Sequence, residues 1–110
     1  MGYYTDYEIT VTDKETGMLV SCDEYIKELE EISGYGIENE GQIATIYEVK
    51  WYRNVQDLKK FSKLHPKWFI EVDGDGEEQG DQWIQYHENG KTQLCNAIIT
   101  FEPYDASEMK

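Results

Sequence analysis

The sequence predicts an α+β fold: a two-layer sandwich in which two helices cover one face of a five-stranded, mainly antiparallel sheet. Two segments with a single apolar stripe at helical spacing predict the helices, and five alternating or continuous apolar runs predict the strands. Their order is β-α-β-α-β-β-β, and the short turns between the last three strands favour an antiparallel meander. A chain of 110 residues fits one domain, which we expect to span residues 1–104 and to leave a polar tail at 105–110.

The first strand and the first helix follow directly from the residue pattern. Residues 3–12 place β-branched and aromatic side chains on one face and mostly polar ones on the other, which is typical of a half-buried strand. Ser21 is the expected N-cap of the helix, Glu24 takes the capping-box position, and Gly34 is the expected left-handed residue after its last turn. The stripe that should face the core contains Cys22, Tyr25, Ile26, Leu29 and Ile32.

The second strand and the second helix form the next unit. Residues 35–41 are interpreted as a flexible acidic connection, and residues 42–52 alternate and predict a strand. Asn54 is the expected N-cap of the helix, with Asp57 in its first turn to accept from free amides, and Pro66 ends it. The outward positions near its C-terminal end, where cations complement the helix dipole, are Lys59, Lys60 and Lys63.

Three more strands complete the predicted sheet. They are expected at residues 67–73, 81–87 and 92–101. Asn89 and Gly90 stand between the last two strands, and this dipeptide is the strongest hairpin signal in the chain. It predicts a type I′ turn, in which both residues have a positive φ.

Charge is the most distinctive compositional feature, because the net charge is −13 and is unevenly placed. Residues 1–48 hold twelve acids against two lysines, residues 49–70 hold six basic residues against one acid, and residues 71–110 hold ten acids against two lysines. Such a surface repels phosphate backbones, so we expect no direct binding of nucleic acid. It attracts basic surfaces. Solubility is the alternative explanation, since a high net charge keeps small proteins dispersed.

The sequence also suggests a compartment. No run of about 18 apolar residues is present, so no membrane span is predicted. The first six residues contain neither a basic region nor an apolar stretch, so we expect no signal peptide. The cytoplasm is therefore the expected location.

An acidic, glycine-rich segment at residues 73–81 is the main candidate for a functional site. It holds five carboxylates and three glycines between two predicted strands, and is interpreted as a hairpin loop. Its first acids have the opening spacing of a calcium-binding EF-hand loop, but Glu78 stands at the glycine position and Ile84 at the final glutamate position. No metal site is therefore predicted, and the loop is either a solvated connection or a docking surface for a basic partner. The predicted partner-binding residues are Asp73, Asp75, Glu77, Glu78 and Asp81, with Glu24, Glu28 and Glu31 on the first helix.

The sequence offers little for catalysis, and we expect a protein that is not an enzyme and uses no cofactor. No GxSxG, HExxH, Walker or GxGxxG motif is present. Cys95 and His87 lie on adjoining predicted strands and could approach each other, but Cys22 and Cys95 are more simply explained as buried free thiols. A disulfide would need an oxidising compartment that nothing else in the sequence indicates.

Four segments resemble a family of small, mostly uncharacterised acidic proteins encoded by bacteriophages and prophages. They are YYTDY at residues 3–7, KWY at 50–52, DGEEQGDQW at 75–83 and NGK at 89–91, and the resemblance covers most of the chain. Its most specific part is the GEE-x-GD-x-W pattern within the third segment. Small acidic phage proteins of this kind are similar to anti-defence factors, including anti-CRISPR proteins and nucleic-acid mimics. The resemblance carries over no catalytic or binding residue.

These observations lead to one main hypothesis and two alternatives. The main hypothesis is a phage accessory protein in the host cytoplasm that binds and inhibits a host defence protein with a basic surface, such as a nucleic-acid-binding effector. Its carboxylates would occupy a groove that normally receives phosphates. The first alternative is an acidic immunity or antitoxin-like protein that neutralises a basic toxin. In the second, the chain forms a homodimer in which the basic residues 49–70 meet an acidic face of another copy.

Overall fold

The computed structural model describes residues 4–76, 82–96 and 107. Of the tail expected at 105–110, only residue 107 falls within them. Among the described residues, no helix is long and apolar enough to cross a membrane. The regular segments in this part of the chain are β1 (Thr5–Asp13), a short 3-10 helix (Cys22–Glu24), α1 (Ile26–Ser33), β2 (Glu38–Asn39), β3 (Ile43–Val49), α2 (Asn54–Leu64), β4 (Trp68–Gly76), β5 (Gln82–Glu88) and β6 (Lys91–Asn96).

The described strands form one sheet in the spatial order β2-β3-β1-β4-β5-β6, and every neighbouring pair is antiparallel. This confirms the α+β class and the antiparallel sheet. The number of strands differs, since five were expected and the described residues form six. The additional strand is β2, which pairs with Thr45 and Ala44 within the segment interpreted as a flexible connection. A strand of two residues is too short to show alternation, so the sequence pattern could not reveal it.

Both helices pack on the same face of the sheet. Alternate residues of β1 and β4 point to this face and are fully buried, and side chains from α1 and α2 join them in one apolar cluster. The opposite face of the described sheet is not covered by either helix. The principal members of the cluster are Ile9, Val11, Leu29, Ala44, Ile46, Leu58, Phe61, Ile70 and Val72.

The β5–β6 hairpin has the predicted turn. Asn89 has φ 46° and Gly90 has φ 78°, so both central residues are in the left-handed region that a type I′ turn requires. The strand β6 begins at Lys91 and is described to Asn96, whereas the pattern extended it to residue 101. Residues 97–101 lie outside the described part.

The first helix begins later than predicted. Ser21 precedes the 3-10 helix rather than an α-helix and makes no side-chain cap, and Tyr25 occupies the N-cap position of α1. The expected capping box with Glu24 is therefore absent at this site. Gly34 ends α1 as predicted, with φ 80° and its N–H donated to the carbonyl of Glu30. The carboxylate of Glu30 accepts the N–H of Ile37 at 2.9 Å and so satisfies a donor in the chain that follows the helix.

The second helix also starts differently. Arg53 takes the N-cap position and Asn54 is already helical, so Asn54 is not the cap. Its side-chain amide donates to the carbonyl of Trp51 at 2.8 Å. Asp57 accepts from the indole N–H of Trp51 at 2.7 Å instead of from a first-turn amide. The indole is almost fully buried, and its need for an acceptor overrides the local capping preference of these residues.

A polar chain lies buried beneath α2. His87 is inaccessible to solvent and donates from Nε2 to the side-chain oxygen of Gln85 at 2.8 Å, while its Nδ1 accepts from the hydroxyl of Thr92 at 2.8 Å. The amide of Gln85 donates in turn to Asn54 at 2.8 Å. Burial, and the nearby charge of Lys59, lower the pKa of His87 to about 4. The imidazole is therefore neutral at pH 7, as its two hydrogen bonds require.

Candidate functional site

Two of the predicted loop carboxylates belong to a strand. β4 continues to Gly76, so Asp73 and Asp75 are part of the sheet and not of a hairpin loop. In the register, Asp73 lies between Glu8 of β1 and Ile84 of β5. Glu77, Glu78 and Asp81 lie outside the described residues, so their predicted role stays a prediction.

Gly74 lies within a strand because its lack of a side chain leaves room for an aromatic ring. It pairs with Tyr7 on one side and with Trp83 on the other, and the Trp83 indole lies against its backbone. A Cβ at this position would approach the ring atoms to 2.2 Å. The glycine that suggested a turn therefore serves the close approach of an aromatic ring.

The carboxylates of β4 project to the face that the helices leave uncovered. Asp73 and Asp75 alternate along β4 with the buried Val72 and Gly74, so they lie on the opposite side of the sheet. Other acids share this side, because directly opposite residues of paired strands point to the same face. We call this surface the acidic face, and its carboxylates are Asp6, Glu8, Glu38, Glu71, Asp73 and Asp75.

Like charges stand directly opposite each other on the acidic face. Glu8 pairs with Asp73, and Asp6 pairs with Asp75. Opposed like charges across an antiparallel pair are destabilising. Asp6 has a structural role, since it accepts the N–H of Glu48 at 2.8 Å where β3 departs from regular register. No comparable hydrogen bond explains Glu8 or Asp75 among the described residues.

Three titratable groups on or beside the acidic face have a raised pKa. The pKa of the Tyr47 phenol is raised, mainly by the charge of Glu40 and further by desolvation and by the acids of β1 and β2. The pKa of Glu71 is raised by desolvation and then by the neighbouring charge of Asp73. Desolvation and then Glu71 also raise the pKa of Tyr86. These groups therefore lie in a negative potential that favours cations.

A groove of about 470 Å³ crosses this face. Carboxylates of β1 and β4 line it together with the half-exposed ring of Tyr47 and the side of Ile84. Asp73 Oδ1 is buried and has no hydrogen-bond partner in the described part of the chain. An unpaired carboxylate oxygen in such a place is costly unless a donor reaches it. The groove is thus suited to a donor-rich cationic side chain, such as a guanidinium.

The structure separates the predicted site residues into two layers. Glu24, Glu28 and Glu31 lie on the helices, on the other side of the sheet from Asp73 and Asp75. Glu28 pairs with His65, with 2.5 Å between Oε1 and Nε2. The side chains of Glu24 and Glu31 are exposed. One continuous surface cannot include both sets.

Sequence reasoning missed most of the acidic face. Asp6 and Glu8 were recognised only as the polar side of the first strand, and Glu38 and Glu71 were not considered. The signal was an unusual acid content at alternate positions of two predicted strands. It could be used only with knowledge that these two strands are neighbours.

The suggested proximity of Cys95 and His87 does not occur. Cys95 pairs with Ile84, on the acidic face, whereas His87 points to the helices. Both thiols are free, as expected, although only Cys22 is buried and Cys95 is half-buried. In the described ranges, no group of three or more His, Cys, Asp or Glu side chains could hold a metal ion.

Comparison with known proteins finds no matching family model, no matching curated protein and no matching solved structure. The interpretation of the site therefore depends on its own residues.

Proposed function

We propose that this chain is a phage accessory protein that binds and inhibits a host defence protein in the host cytoplasm. The acidic face would occupy a basic groove through which the defence protein binds nucleic acid. The observation that carries the proposal is the groove on the helix-free side of the sheet, with its opposed carboxylates and the unpaired oxygen of Asp73. The resemblance of residues 75–83 and of the shorter segments to phage proteins supports the biological setting.

A sheet suits this task because it fixes charges in a regular array. Neighbouring strands are separated by about 4.8 Å, and alternate residues along one strand by about 6.8 Å. The acids of β1 and β4 therefore present a rigid row of negative charge, as a phosphate backbone does, without the entropy cost of ordering a flexible loop. Placing like charges together lowers stability, and a partner that brings arginines or lysines would relieve this repulsion.

The mechanism would be steric and electrostatic. The net charge of −13 raises the rate of encounter with a basic groove, and the carboxylates then compete with phosphates for the same cations. A guanidinium that enters the groove beside Tyr47 could donate to Asp73 Oδ1 and also lie against the ring. Inhibition requires no reaction, only exclusion of nucleic acid.

Two variants with the same change of charge test the surface. The first, Glu8→Gln with Asp75→Asn, removes two exposed charges from the acidic face. The matched control, Glu24→Gln with Glu31→Gln, removes two exposed charges from the helix side. We expect the first variant to lose at least about tenfold in affinity for a captured nucleic-acid-binding protein, which corresponds to about 1.4 kcal/mol, and the control to lose little.

The assay is a pull-down from host lysate at about 50 and about 300 mM salt, with competing DNA or RNA, followed by identification of the captured proteins. Capture that weakens with salt, is displaced by nucleic acid and is lost only in the face variant supports the proposal. Capture of a basic toxin with the same pattern would favour the immunity or antitoxin alternative. Equal capture by the face variant and the wild type would refute the role of the acidic face.

A further inference from the structure

The helix layer carries two charged rows of opposite sign. α1 and the preceding 3-10 helix contain five acids and one lysine, whereas α2 contains three lysines and one acid, which is engaged by the indole of Trp51. The exposed acids are Asp23, Glu24 and Glu31, with Glu28 partly exposed, and the exposed bases are Lys59, Lys60 and Lys63.

The two helices lie side by side. Glu28 of α1 contacts His65, just after α2, and the rings of Tyr25 and Phe61 are 5.8 Å apart. One lysine of the basic row has a contact away from this seam. The stem of Lys63 lies beside Gly90 in the β5–β6 turn, since a Cβ there would be 3.7–3.8 Å from it. Lys63 therefore lies on the side of α2 next to the β5–β6 turn, whereas the acidic row lies on α1 and the preceding 3-10 helix.

Apart from Glu28, the charged side chains of both rows have no ion-pair partner among the residues that the structure describes. The ion pairs between described residues involve Lys14, Lys67 and His65, and none includes an acid or base of the two exposed rows except Glu28. α2 also leaves an exposed apolar side chain at its end, since Leu64 is 55% exposed. Unpaired rows of opposite sign beside exposed apolar surface form a pattern that complements itself.

We infer that the helix layer is a self-association surface, on which a second copy places its acidic α1 row against the basic α2 row of the first, and the reverse. A twofold axis makes each contact occur twice, because the same patch supplies both halves of the complementary pattern. The partner is a second copy, since a uniformly basic or uniformly acidic molecule would meet one row of its own sign. This inference does not depend on the proposed function.

The arrangement has a consequence for the acidic face. The helix layer and the acidic face lie on opposite sides of the sheet, so a dimer formed through the helices leaves both acidic faces exposed and pointing apart. Two basic partners could then bind at once, and linked sites raise the apparent affinity for a target that presents two grooves. Under this inference Glu24 and Glu31 act in self-association and not in binding to the basic partner, while Glu28 is paired with His65.

Charge reversal on each row gives a direct test by sedimentation velocity at about 0.15 M salt, where charges are screened beyond about 8 Å. One variant reverses α2, with Lys60→Glu and Lys63→Glu, and the other reverses α1, with Glu24→Lys and Glu31→Lys. All four side chains are exposed, so the fold should be retained, which circular dichroism verifies. We expect the wild type to dimerise with concentration and each variant alone to remain monomeric.

The mixture of the two variants is the decisive sample. In each variant two side chains of one row take the sign of the other row, so the two variants should form a one-to-one heterodimer. The total charge of this heterodimer equals that of two wild-type copies. A single chain with all four substitutions restores the complementary pattern and should dimerise again. A wild type that stays monomeric up to about 500 µM, variants that dimerise like the wild type, or a mixture that stays monomeric would each overturn the inference.

Discussion

Replacement of Gly74 by alanine tests the packing that supports the acidic face. The new Cβ would lie 2.2 Å from ring atoms of Trp83, so the indole must move. That ring also makes an edge contact with Tyr7, with centroids 5.6 Å apart and planes at 65°. Displacement of the indole therefore affects both the central strands and the edge of the core.

The size of the effect can be worked out from these contacts. Overpacking of a well-packed site costs about 1–3 kcal/mol. Loss of the edge contact between the rings adds about 0.5–1.5 kcal/mol. The lower entropy of the unfolded chain with alanine offsets about 0.4–1 kcal/mol. The expected net loss in the free energy of unfolding is about 2 kcal/mol, or a fall in Tm of about 10 °C for a domain of this size.

Urea unfolding followed by circular dichroism measures the change, and Gly36→Ala is the matched control. A Cβ at Gly36 meets no atom within 4 Å, and this residue has no positive φ, so the control should match or slightly exceed the wild type. Trp83→Leu should reduce the cost of Gly74→Ala in a double-mutant cycle, because it removes the opposing ring. A Gly74→Ala protein whose free energy of unfolding lies within about 0.5 kcal/mol of the wild-type value would show that Trp83 does not pack against Gly74 in this way.

Three further predictions concern the polar contacts. The pKa of His87 is about 4 in the folded chain and 6.5 in the unfolded chain. The contribution of neutral His87 to the free energy of unfolding is therefore complete above pH 6.5 and is lost as the pH falls toward 4. Between pH 7 and 5 the free energy of unfolding should fall by about 2 kcal/mol for this reason. In urea titrations the His87→Gln protein should show a flatter dependence of stability on pH. An unchanged dependence would contradict the role of His87. Asp57→Ala leaves the indole N–H of Trp51 without its acceptor and should lower the free energy of unfolding by about 1–3 kcal/mol. Asp57→Asn keeps an acceptor oxygen and should recover most of this loss. Equal losses in the two variants would argue against the hydrogen bond. Lys14→Ala removes the exposed ion pair with Glu88 and should change the free energy of unfolding by less than about 1 kcal/mol, so a larger loss would show a role beyond this pair.

Local features of the fold could be predicted because they depend on neighbouring residues. The type I′ turn at Asn89 and Gly90 and the left-handed end of α1 at Gly34 are confirmed, since both require backbone angles that few residues tolerate. Helix starts were less predictable. The caps expected at Ser21 and Asn54 were wrong, since Tyr25 and Arg53 take the N-cap positions. In α2, Asp57 accepts from the buried indole of Trp51 and not from a first-turn amide.

The candidate site illustrates the limit of local reasoning. The acids of residues 73–81 were recognised, but their glycines suggested a loop, and only the distant Trp83 shows why Gly74 belongs to a strand. Glu8 was unremarkable in the sequence. It became part of a site when the fold placed it opposite Asp73, 65 positions further along the chain.

The α+β class, the amphipathic pattern of each helix, the hairpin turn and the uneven charge can all be predicted from the sequence, because periodicity and turn chemistry are properties of short segments. The strand order, which makes β1 the neighbour of β4 and so joins their acids into one face, is seen only in the folded chain. The folded chain also places the acids of α1 on the other side of the sheet. This difference arises because side chains alternate between the two faces of a strand, whereas pairing between strands depends on packing across the whole core.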